Sequence, residues 1–420
     1  MRKPFRGVPV NSSERPPLAE PRSTTKGQSL SSDLLSGHKR FVFYGVMLLA
    51  PLVVAAMLVI AYQKYRRHHL ASLQAPKAQA ESYQQQLVET IRVAQATHGV
   101  LTQLAGSAID EYARNWAEVM KWVPIPGVSG NLNPNVRGKY VNTNDLGYRS
   151  LINFRDQIAL AKQQKADGKK VVVLVGGSTA FGTYSNDDDT SIVGYLNANS
   201  AAHGSELTFY NFANGSYTSE EELNALADYA NQLNPDLLII MDGANDAFRM
   251  ADPDVYHVGI GVPFTYLTIR AVYPSQFKSD WLDRTYDVNA LSSVDVSEFF
   301  DFYERNLHLM IAIMKSLGGS TVLATQPVAD VRNPCYAPAT RPIDINLQKF
   351  MPMMAAASNS VAVNEDMQHL DLTGIFDGPN ELCRGSFFDT VHLASVGQRK
   401  VAERLYNASM QVLRKPEARQ

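Results

Sequence analysis

Four short segments carry side chains that could act together in nucleophilic catalysis. Ser178 follows an apolar run that ends in glycines, and Gly215 follows the run LTFYNFAN. Asn245 follows the run PDLLIIMDG, and Asp389 precedes His392 by three residues. A histidine oriented by a carboxylate can take the proton of a serine hydroxyl, and amide N–H groups can stabilise the oxyanion that forms. These residue types therefore indicate acyl-transfer chemistry at a serine.

Each segment also has an ordinary structural interpretation. A Gly-Gly-Ser turn often only starts a helix, Asn245 and Asp246 could cap one, and Asp-x-x-His is often a surface polar pair. Ser178 does not lie in a Gly-x-Ser-x-Gly elbow, because Ala180 occupies the second glycine position. No Gly-Lys-Ser/Thr follows, so the turn is not a phosphate loop. The catalytic interpretation depends on elements that bring the four segments together.

Strands and helices alternate from Lys169 onwards, and this pattern can supply those elements. Apolar runs predict buried strands over residues 169–178, 207–214, 235–243, 320–325 and 367–372. Helices are predicted over residues 191–200, 219–233, 299–317 and 396–413, with Ser219 as a cap and Glu222 three residues on. The alternation indicates an α/β fold with a doubly wound, flavodoxin-like parallel sheet. In such a sheet, the chemistry lies at the carboxyl ends of the strands.

Taken together, the four segments resemble the SGNH (GDSL-type) hydrolase family, in order and spacing, over residues 169–413. The resemblance implies that Ser178 is the nucleophile and that Asp389 and His392 are its catalytic partners. It also implies an oxyanion hole formed by the backbone N–H groups of Ser178 and Gly215 and by the amide of Asn245. No metal or organic cofactor is implied.

Two features qualify this resemblance. The first block reads Gly-Gly-Ser-Thr rather than Gly-Asp-Ser-Leu, so Gly177 stands where the family has an acid that is not a reacting group. The segment NDLGYRS is similar to an extension found in membrane-linked bacterial members, although Arg149 within it has no assignable role.

Residues 187–189 are all aspartate and could suggest calcium. No 12-residue ligand loop follows, so a solvated loop is predicted there.

Residues 41–62 contain no charged side chain and predict one transmembrane helix. As a helix, 22 residues span about 33 Å, enough for a hydrocarbon core of about 30 Å. A buried helix of a soluble core and a cleaved signal peptide are the alternatives. Basic residues close to the span are nearly equal in number on its two sides. However, residues 1–40 as a whole carry eight basic and three acidic side chains. This excess favours a cytoplasmic N-terminus and an extracytoplasmic catalytic domain on the bacterial cytoplasmic (inner) membrane.

The composition excludes several classes of protein. Of the 420 residues, 45% are hydrophobic and 19% charged, which excludes wholesale disorder. A net charge of -2 gives no sign of nucleic-acid binding.

Cys335 and Cys383 are the two cysteines, and their loops should leave the same edge of the sheet. In an oxidising compartment they are predicted to form a disulfide, with two separate buried thiols as the alternative.

These patterns give a domain organisation. Residues 63–122 are predicted to be helical, as a stalk or as a packing partner, and residues 250–297 interrupt the sheet pattern as a lid or cap. The predicted segments are a disordered basic tail (1–40), a transmembrane helix (41–62), a helical stalk (63–122), a connector (123–168), an SGNH-like hydrolase domain (169–413) with its insertion (250–297), and a tail (414–420).

Three functions compete on this basis. The leading hypothesis is a membrane-anchored ester hydrolase, such as a deacetylase, or an O-acyl transferase. Its substrate would be an ester-bearing small molecule or an acylated glycan, and the glycan would belong to the envelope or be exported. A catalytically silent scaffold, acting with envelope-assembly proteins, is the alternative. A flavodoxin-like nucleotide binder would need a phosphate cradle, and the sequence lacks one.

Overall fold

A computed structural model describes residues 107–250, 297–329, 342–376 and 385–414, together with Gln85, Val88 and Glu89. The predicted tails, the span at 41–62, most of the predicted stalk, nearly all of the insertion and both cysteines lie outside the described residues. The chain divides into two compact units, Met1–Ala75 and Pro76–Gln420, and every described residue belongs to the second. Within the described part, no helix has the length and apolar character needed to cross a membrane.

The described residues form a two-stranded hairpin, a five-stranded sheet and the helices around it. The strands are β1 (Trp122–Ile125), β2 (Val128–Leu132), β3 (Lys170–Gly176), β4 (Leu207–Asn211), β5 (Leu237–Asp242), β6 (Ser320–Thr325) and β7 (Gln368–Asp371). The α-helices are α1 (Ser107–Val119), α2 (Phe154–Ala166), α3 (Ser178–Phe181), α4 (Ile192–Ala202), α5 (Ser219–Asp228), α6 (Ala244–Met250), α7 (Ser297–Ser316), α8 (Pro342–Asn364) and α9 (Ser395–Arg414). A short 3₁₀ helix, Ala230–Leu233, follows α5.

The five-stranded sheet confirms the predicted doubly wound parallel fold. Its strand order is β4-β3-β5-β6-β7, and every neighbouring pair is parallel. The chain moves outward from β3 to β4, then returns past β3 to β5. The crevice at such a reversal lies at the carboxyl ends of the strands, which is where ligands bind in open α/β sheets. Both β3 and β5 end there, immediately before two of the predicted site segments.

The sheet is buried on both faces, because alternate side chains of each strand enter different cores. In β3, Val172 and Leu174 pack in a core that includes residues of α1, α4 and α9. Val171, Val173 and Val175 pack on the opposite face, in a core that includes residues of α5, α7 and α8. The continuous apolar run of β3 is therefore accounted for by helices on two sides.

The described end of the predicted stalk is a packing partner of the hydrolase core, the second of the two alternatives. Tyr112 and Trp116 are four residues apart in α1, so they lie on one face of the helix, and both are fully buried. The Trp116 ring lies 6.3 Å from that of Phe181 and 5.7 Å from that of Tyr184, centroid to centroid. Helix α1 therefore covers the loop that follows Ser178.

Residues 123–168, expected to be a connector, also contain regular structure and buried polar groups. They hold the hairpin of β1 and β2 and the helix α2. Asn131, Asn144 and Arg149 are buried within this segment. Asn144 Oδ1 accepts hydrogen bonds from the backbone N–H groups of Leu146 (2.9 Å) and Tyr148 (3.0 Å). Polar side chains of this segment thus stabilise turns that pack against the sheet.

One predicted helix cap is displaced by one residue. Thr218, not Ser219, is the N-cap of α5, and its backbone N–H donates to Glu221 Oε2 at 2.9 Å. Ser219 is the first helical residue, and Glu222 is fully buried beneath the helix. Both Thr218–Glu221 and Ser219–Glu222 fit the pattern of a capping box, so the sequence alone does not select the register.

Candidate active site

Ser178 is the first residue of the single helical turn α3, directly beyond the carboxyl end of β3. Its backbone N–H is one of the N-terminal amides that have no acceptor within a helix. Gly176 ends β3 where the backbone approaches β5 closely. A Cβ atom at this position would lie 2.3 Å from the carbonyl oxygen of Met241. Glycine at 176 is therefore required for the two strands to pair up to the serine.

The structure joins Ser178, His392 and Asp389 in one chain of hydrogen bonds. Ser178 Oγ lies 2.9 Å from His392 Nε2, across 214 positions of sequence. His392 Nδ1 lies 2.7 Å from Asp389 Oδ2. The three side chains are partly exposed, so a substrate can reach the serine. The four segments selected from the sequence thus provide three side chains in contact.

The surroundings of Asp389 determine which atoms carry protons. Its second oxygen, Oδ1, accepts from the backbone N–H groups of Val391 (2.9 Å) and His392 (2.8 Å). The partial burial of Asp389 alone would raise its pKa, but the adjacent imidazole and these hydrogen bonds outweigh that effect, and the pKa lies below its ordinary value. Asp389 is therefore ionised and only accepts. His392 must then carry its proton on Nδ1, which leaves Nε2 free to accept from Ser178.

Aromatic rings hold the imidazole from the side. The Tyr184 ring meets His392 edge-on, with 5.1 Å between centroids, and lies 4.2 Å from the ring of Phe388. Tyr184 has a φ of 64°, which is an uncommon backbone conformation for a bulky residue. This local strain is located beside the candidate general base, as is common for residues at functional sites.

The side-chain amide of Asn245 is oriented by one hydrogen bond. Its Nδ2 donates to the carbonyl oxygen of Tyr217 at 2.7 Å, and a primary amide has a second N–H to offer. A Cβ atom at Gly177 would lie 2.4 Å from the same Nδ2 atom. The glycine that departs from the Gly-Asp-Ser-Leu pattern therefore provides the space in which this amide sits.

Gly215 lies near the nucleophile, but its N–H already has a partner. The backbone N–H of Asn214 donates to Gly176 at 3.1 Å, so the loop after β4 runs beside the end of β3. The N–H of Gly215 donates to Asn214 Oδ1 at 2.9 Å. The same oxygen accepts from the N–H of Leu132 at 3.0 Å. The structure thus brings Gly215 to the site with its amide bound to a neighbouring side chain.

Asp246 does not project into the hydrogen-bonded chain of the site. Its carboxylate accepts from the backbone N–H of Ser219 at 3.0 Å and from the Ser219 hydroxyl at 2.8 Å. Its observed role is to hold the first turn of α5 from a neighbouring helix, which is close to the capping role considered from the sequence.

Arg149 is a structural residue of the site that the sequence did not reveal. Its side chain is buried and donates from Nη1 to the carbonyl of Gly182 (2.7 Å), and from Nη2 to those of Tyr140 (3.0 Å) and Asp187 (2.8 Å). Nε donates to Asp188 Oδ1 at 2.7 Å. A buried guanidinium that binds backbone carbonyls leaves no local motif of its own, so the segment NDLGYRS included Arg149 without indicating its role.

Two of the three aspartates at 187–189, Asp187 and Asp188, bind this arginine. Asp188 forms the ion pair with Arg149 and also accepts from Asn142 Nδ2 at 2.6 Å. Asp187 Oδ1 accepts from the N–H of Thr190 at 2.8 Å, which forms a local turn. Among the described residues, no group of three acidic, histidine or cysteine side chains could hold a metal ion.

Three buried acids, Glu222, Asp242 and Asp246, form an acidic cluster beneath the end of β5. Asp242 Oδ1 accepts from the Tyr303 hydroxyl at 2.7 Å. Burial and the neighbouring Asp246 raise the pKa of Asp242 to about 8. Burial, Asp242 and Asp246 raise the pKa of Glu222 well above its usual range. Neither oxygen of Glu222 receives a hydrogen bond from a hydroxyl, amide or cation of the described chain. Burial and the neighbouring carboxyl groups thus favour the protonated forms of Glu222 and Asp242.

Comparison with known proteins identifies the class of this chain. The sequence profile of the GDSL-like Lipase/Acylhydrolase family matches residues 174–400, just over half of the chain. The chain belongs to this family and is an SGNH-type ester hydrolase. The match begins within β3 and ends in α9, so it contains all four segments selected from the sequence. No curated protein matches the chain.

Solved structures that match this chain share little sequence with it. An acetyl-xylooligosaccharide esterase mutant from Geobacillus stearothermophilus is 15% identical, with a TM-score of 0.38, over 57% of this chain and 93% of that one. A lipase/acylhydrolase from Enterococcus faecalis is 19% identical, with a TM-score of 0.38, over 59% and 98%. An alpha/beta hydrolase enzyme from the metagenome of Lake Arreo, Spain, is 16% identical, with a TM-score of 0.39, over 57% and 94%.

Proposed function

We propose that the protein is a membrane-anchored serine esterase or O-acyl transferase that forms an acyl-enzyme at Ser178. Its proposed substrate is an acylated glycan of the bacterial envelope or one destined for export. The observation that carries the catalytic part is the hydrogen-bonded chain from Ser178 through His392 to Asp389. The membrane anchor is supported by the uncharged, apolar run of residues 41–62.

The first half of the reaction follows from the proton positions. Ser178 Oγ attacks the ester carbonyl carbon while its proton passes to His392 Nε2. The imidazole is then charged, and the ionised Asp389 stabilises that charge through Nδ1–H. When the tetrahedral intermediate collapses, Nε2 returns the proton to the leaving alcohol. Ser178 is left as an acyl ester.

Charge on the carbonyl oxygen develops in front of two donors. The backbone N–H of Ser178 lies at the start of α3, and Asn245 has an N–H beyond the one held by Tyr217. Donors fixed before the reaction stabilise an oxyanion without reorganisation. In this proposal the N–H of Gly215 is the third donor. It becomes one when its hydrogen bond to Asn214 Oδ1 breaks or is shared with the oxyanion.

The acceptor in the second half distinguishes a hydrolase from a transferase. Water or a sugar hydroxyl gives its proton to His392 and attacks the acyl carbon. Ser178 then leaves with that proton, and the product is an acid or a new ester. Both outcomes use the same residues, so the acceptor is tested by product analysis with an acetylated donor and a free oligosaccharide.

Replacing the nucleophile tests the proposed function directly. We expect Ser178→Ala in the full-length protein to abolish both hydrolysis of a short-chain aryl ester and labelling by a serine-reactive fluorophosphonate. The control is Ser316→Ala, at the last residue of α7, which should retain both properties. Undiminished turnover by Ser178→Ala in a clean preparation would rule out the acyl-enzyme.

The proposed extracytoplasmic location is tested through the cysteines. If the catalytic domain is exported, Cys335 and Cys383 meet an oxidising compartment, in which two thiols within reach form a disulfide. We expect non-reducing mass mapping of protein from intact cells to recover the two cysteine peptides joined. Two free thiols would contradict the pairing and weaken the proposed location.

A catalytically silent scaffold is the second candidate. The observation that favours it is the N–H of Gly215, which is bound to Asn214 Oδ1 rather than left for an oxyanion. A scaffold would not react with the fluorophosphonate, whereas the proposed enzyme would, so the labelling experiment separates the two candidates.

A further inference from the structure

We propose that Thr179 is a positioning residue that sets the distance between Ser178 and His392. This inference rests on the proposed function, because it assigns Thr179 a task in the same reaction. Thr179 stands where the Gly-Asp-Ser-Leu pattern has an apolar leucine. Its side chain is 2% exposed, and its Oγ1 donates to the carbonyl oxygen of Val391 at 2.9 Å.

The bond from Thr179 runs alongside the proposed catalytic hydrogen bond. Thr179 follows Ser178 directly in the chain, and Val391 directly precedes His392. The hydrogen bond therefore joins the immediate neighbours of the two reacting residues, which come from separate loops. A change in the Thr179–Val391 distance must be transmitted to the Ser178–His392 distance, because one peptide unit separates them on each side.

The direction of the Thr179 proton is fixed by a third residue. Gln326 Nε2 donates to Thr179 Oγ1 at 3.3 Å, and both groups are buried. The carbonyl of Val391 can only accept, so the hydroxyl must receive from Gln326 and give to Val391. Gln326 is itself fixed to the sheet, because its backbone N–H donates to the backbone carbonyl oxygen of Asp242 at 2.9 Å.

The histidine loop has a second anchor that does not involve the serine helix. The backbone N–H of Ala329, beyond β6, donates to the carbonyl of Thr390 at 2.9 Å. This bond holds the histidine loop to the segment after β6. The next carbonyl of the loop, that of Val391, is bound by Thr179 of α3. Without the Thr179 hydroxyl, the loop would remain attached to the β6 side but lose this link to the nucleophile.

Three variants of the full-length protein test the proposal. Thr179→Val keeps the shape and removes the hydroxyl, while Thr179→Ser keeps the hydroxyl. Thr183→Val is the matched control, since Thr183 is buried in the same segment and its hydroxyl has no hydrogen-bond partner among the described residues. Each variant is assayed for kcat and KM on a short-chain aryl ester, for the rate of fluorophosphonate labelling, and for melting temperature.

We expect Thr179→Val to lower kcat and the labelling rate by about tenfold or more, with KM changed less than about twofold. Thr179→Ser should recover most of both rates, and Thr183→Val should retain them. A lower melting temperature with unchanged kcat would make Thr179 merely structural and overturn the proposal. An equal loss in Thr183→Val would also overturn it, because the effect would then come from any buried hydroxyl of this segment.

A further variant covers the case in which Thr179→Val does not fold. Gln326→Met removes the donor that orients the hydroxyl and leaves Thr179 in place. We expect a smaller loss, of about threefold in kcat, again without a matching change in KM. Full kcat in this variant would contradict the proposed network. Wild-type protein that neither hydrolyses the ester nor labels would instead refute the proposed function itself, so the two failures are distinguishable.

Discussion

The amide of Asn245 is held by neighbours on two sides. The carbonyl of Tyr217 accepts one of its N–H groups, and Gly177 leaves the space in which Nδ2 lies. A donor fixed in this way can face an oxyanion without first giving up a bond to water. In this family member, a glycine in place of the acid of the nucleophile block is therefore tied to the position of a residue 68 positions further on.

Asn245→Ala should lower kcat about 100-fold and leave KM within about twofold, as expected for the loss of one oxyanion donor. Gly177→Ala should act in the same direction, because its Cβ would displace the same amide by contact at 2.4 Å. Steady-state kinetics on an aryl ester measure both. A change confined to KM would assign Asn245 to ground-state binding rather than to the oxyanion.

At the scale of elements, the short helix α3 depends on neighbours from outside the family match. A single turn cannot satisfy its own C-terminal carbonyls. Gly182 receives a hydrogen bond from Arg149, and the Arg149 guanidinium also lies over the rings of Trp116 (5.8 Å) and Phe181 (5.7 Å). Helix α1, the segment before β3 and the loop after α3 are thereby joined at one buried cation.

Arg149→Lys should lower the free energy of unfolding by about 2 kcal/mol. An ammonium retains the charge, but it cannot reach the several carbonyls and the carboxylate that the guanidinium binds. Asp188 is partly exposed, so its loss of a partner is softened by water. The control is Arg155→Lys, on the exposed surface of α2. Urea unfolding measures both, and equal stability of the two variants would contradict this role.

For the molecule as a whole, the acidic cluster ties stability to pH. A carboxyl group whose pKa is raised by folding binds its proton more tightly in the folded state. Its contribution is therefore fully present below the unfolded pKa of about 4, and is lost as pH rises through the folded value. For Asp242 the folded pKa is about 8. The fold should accordingly weaken from mildly acidic to mildly alkaline pH.

Glu222→Gln should flatten this dependence, because it removes one acid and provides an amide that can donate to an ionised Asp242. We expect a higher melting temperature than wild type at pH 9 and a similar one at pH 5. Glu403→Gln, on the exposed face of α9, is the control and should follow the wild-type curve. Parallel curves for Glu222→Gln and wild type from pH 5 to 9 would show that the cluster does not govern this behaviour.

The five strands of the parallel sheet were predictable from sequence, whereas the hairpin of β1 and β2 and some helices were not. Apolar runs such as that of β3 are long, uninterrupted and followed by glycine, so their burial and parallel pairing could be inferred. Helix α8 was not predicted, and it contains Pro352, a residue that ordinarily argues against a helix interior. Helix α2 was also missed; it is largely polar and buries Gln157 and Ala161. Tertiary packing, which no local pattern records, decides such elements.

The same division holds for the site. The contact among Ser178, Asp389 and His392 could be predicted because each lies in a short motif at a predicted strand end or before a helix. Arg149 and Asn214 were missed because they bind backbone groups that are distant in sequence, such as Gly182 for Arg149 and Leu132 for Asn214. Their partners are defined only once the chain has folded, so residue type and spacing carry no sign of them.

The packing of α1 has a practical consequence for producing a soluble fragment of this enzyme. A fragment that starts at Lys169, where the sheet pattern begins, would contain every proposed catalytic residue. It would also lack Trp116 and Arg149, and so leave Phe181 uncovered and the carbonyl of Gly182 without its buried donor. An inactive or insoluble fragment of that kind would therefore report on a faulty truncation and not on the chemistry of the intact enzyme.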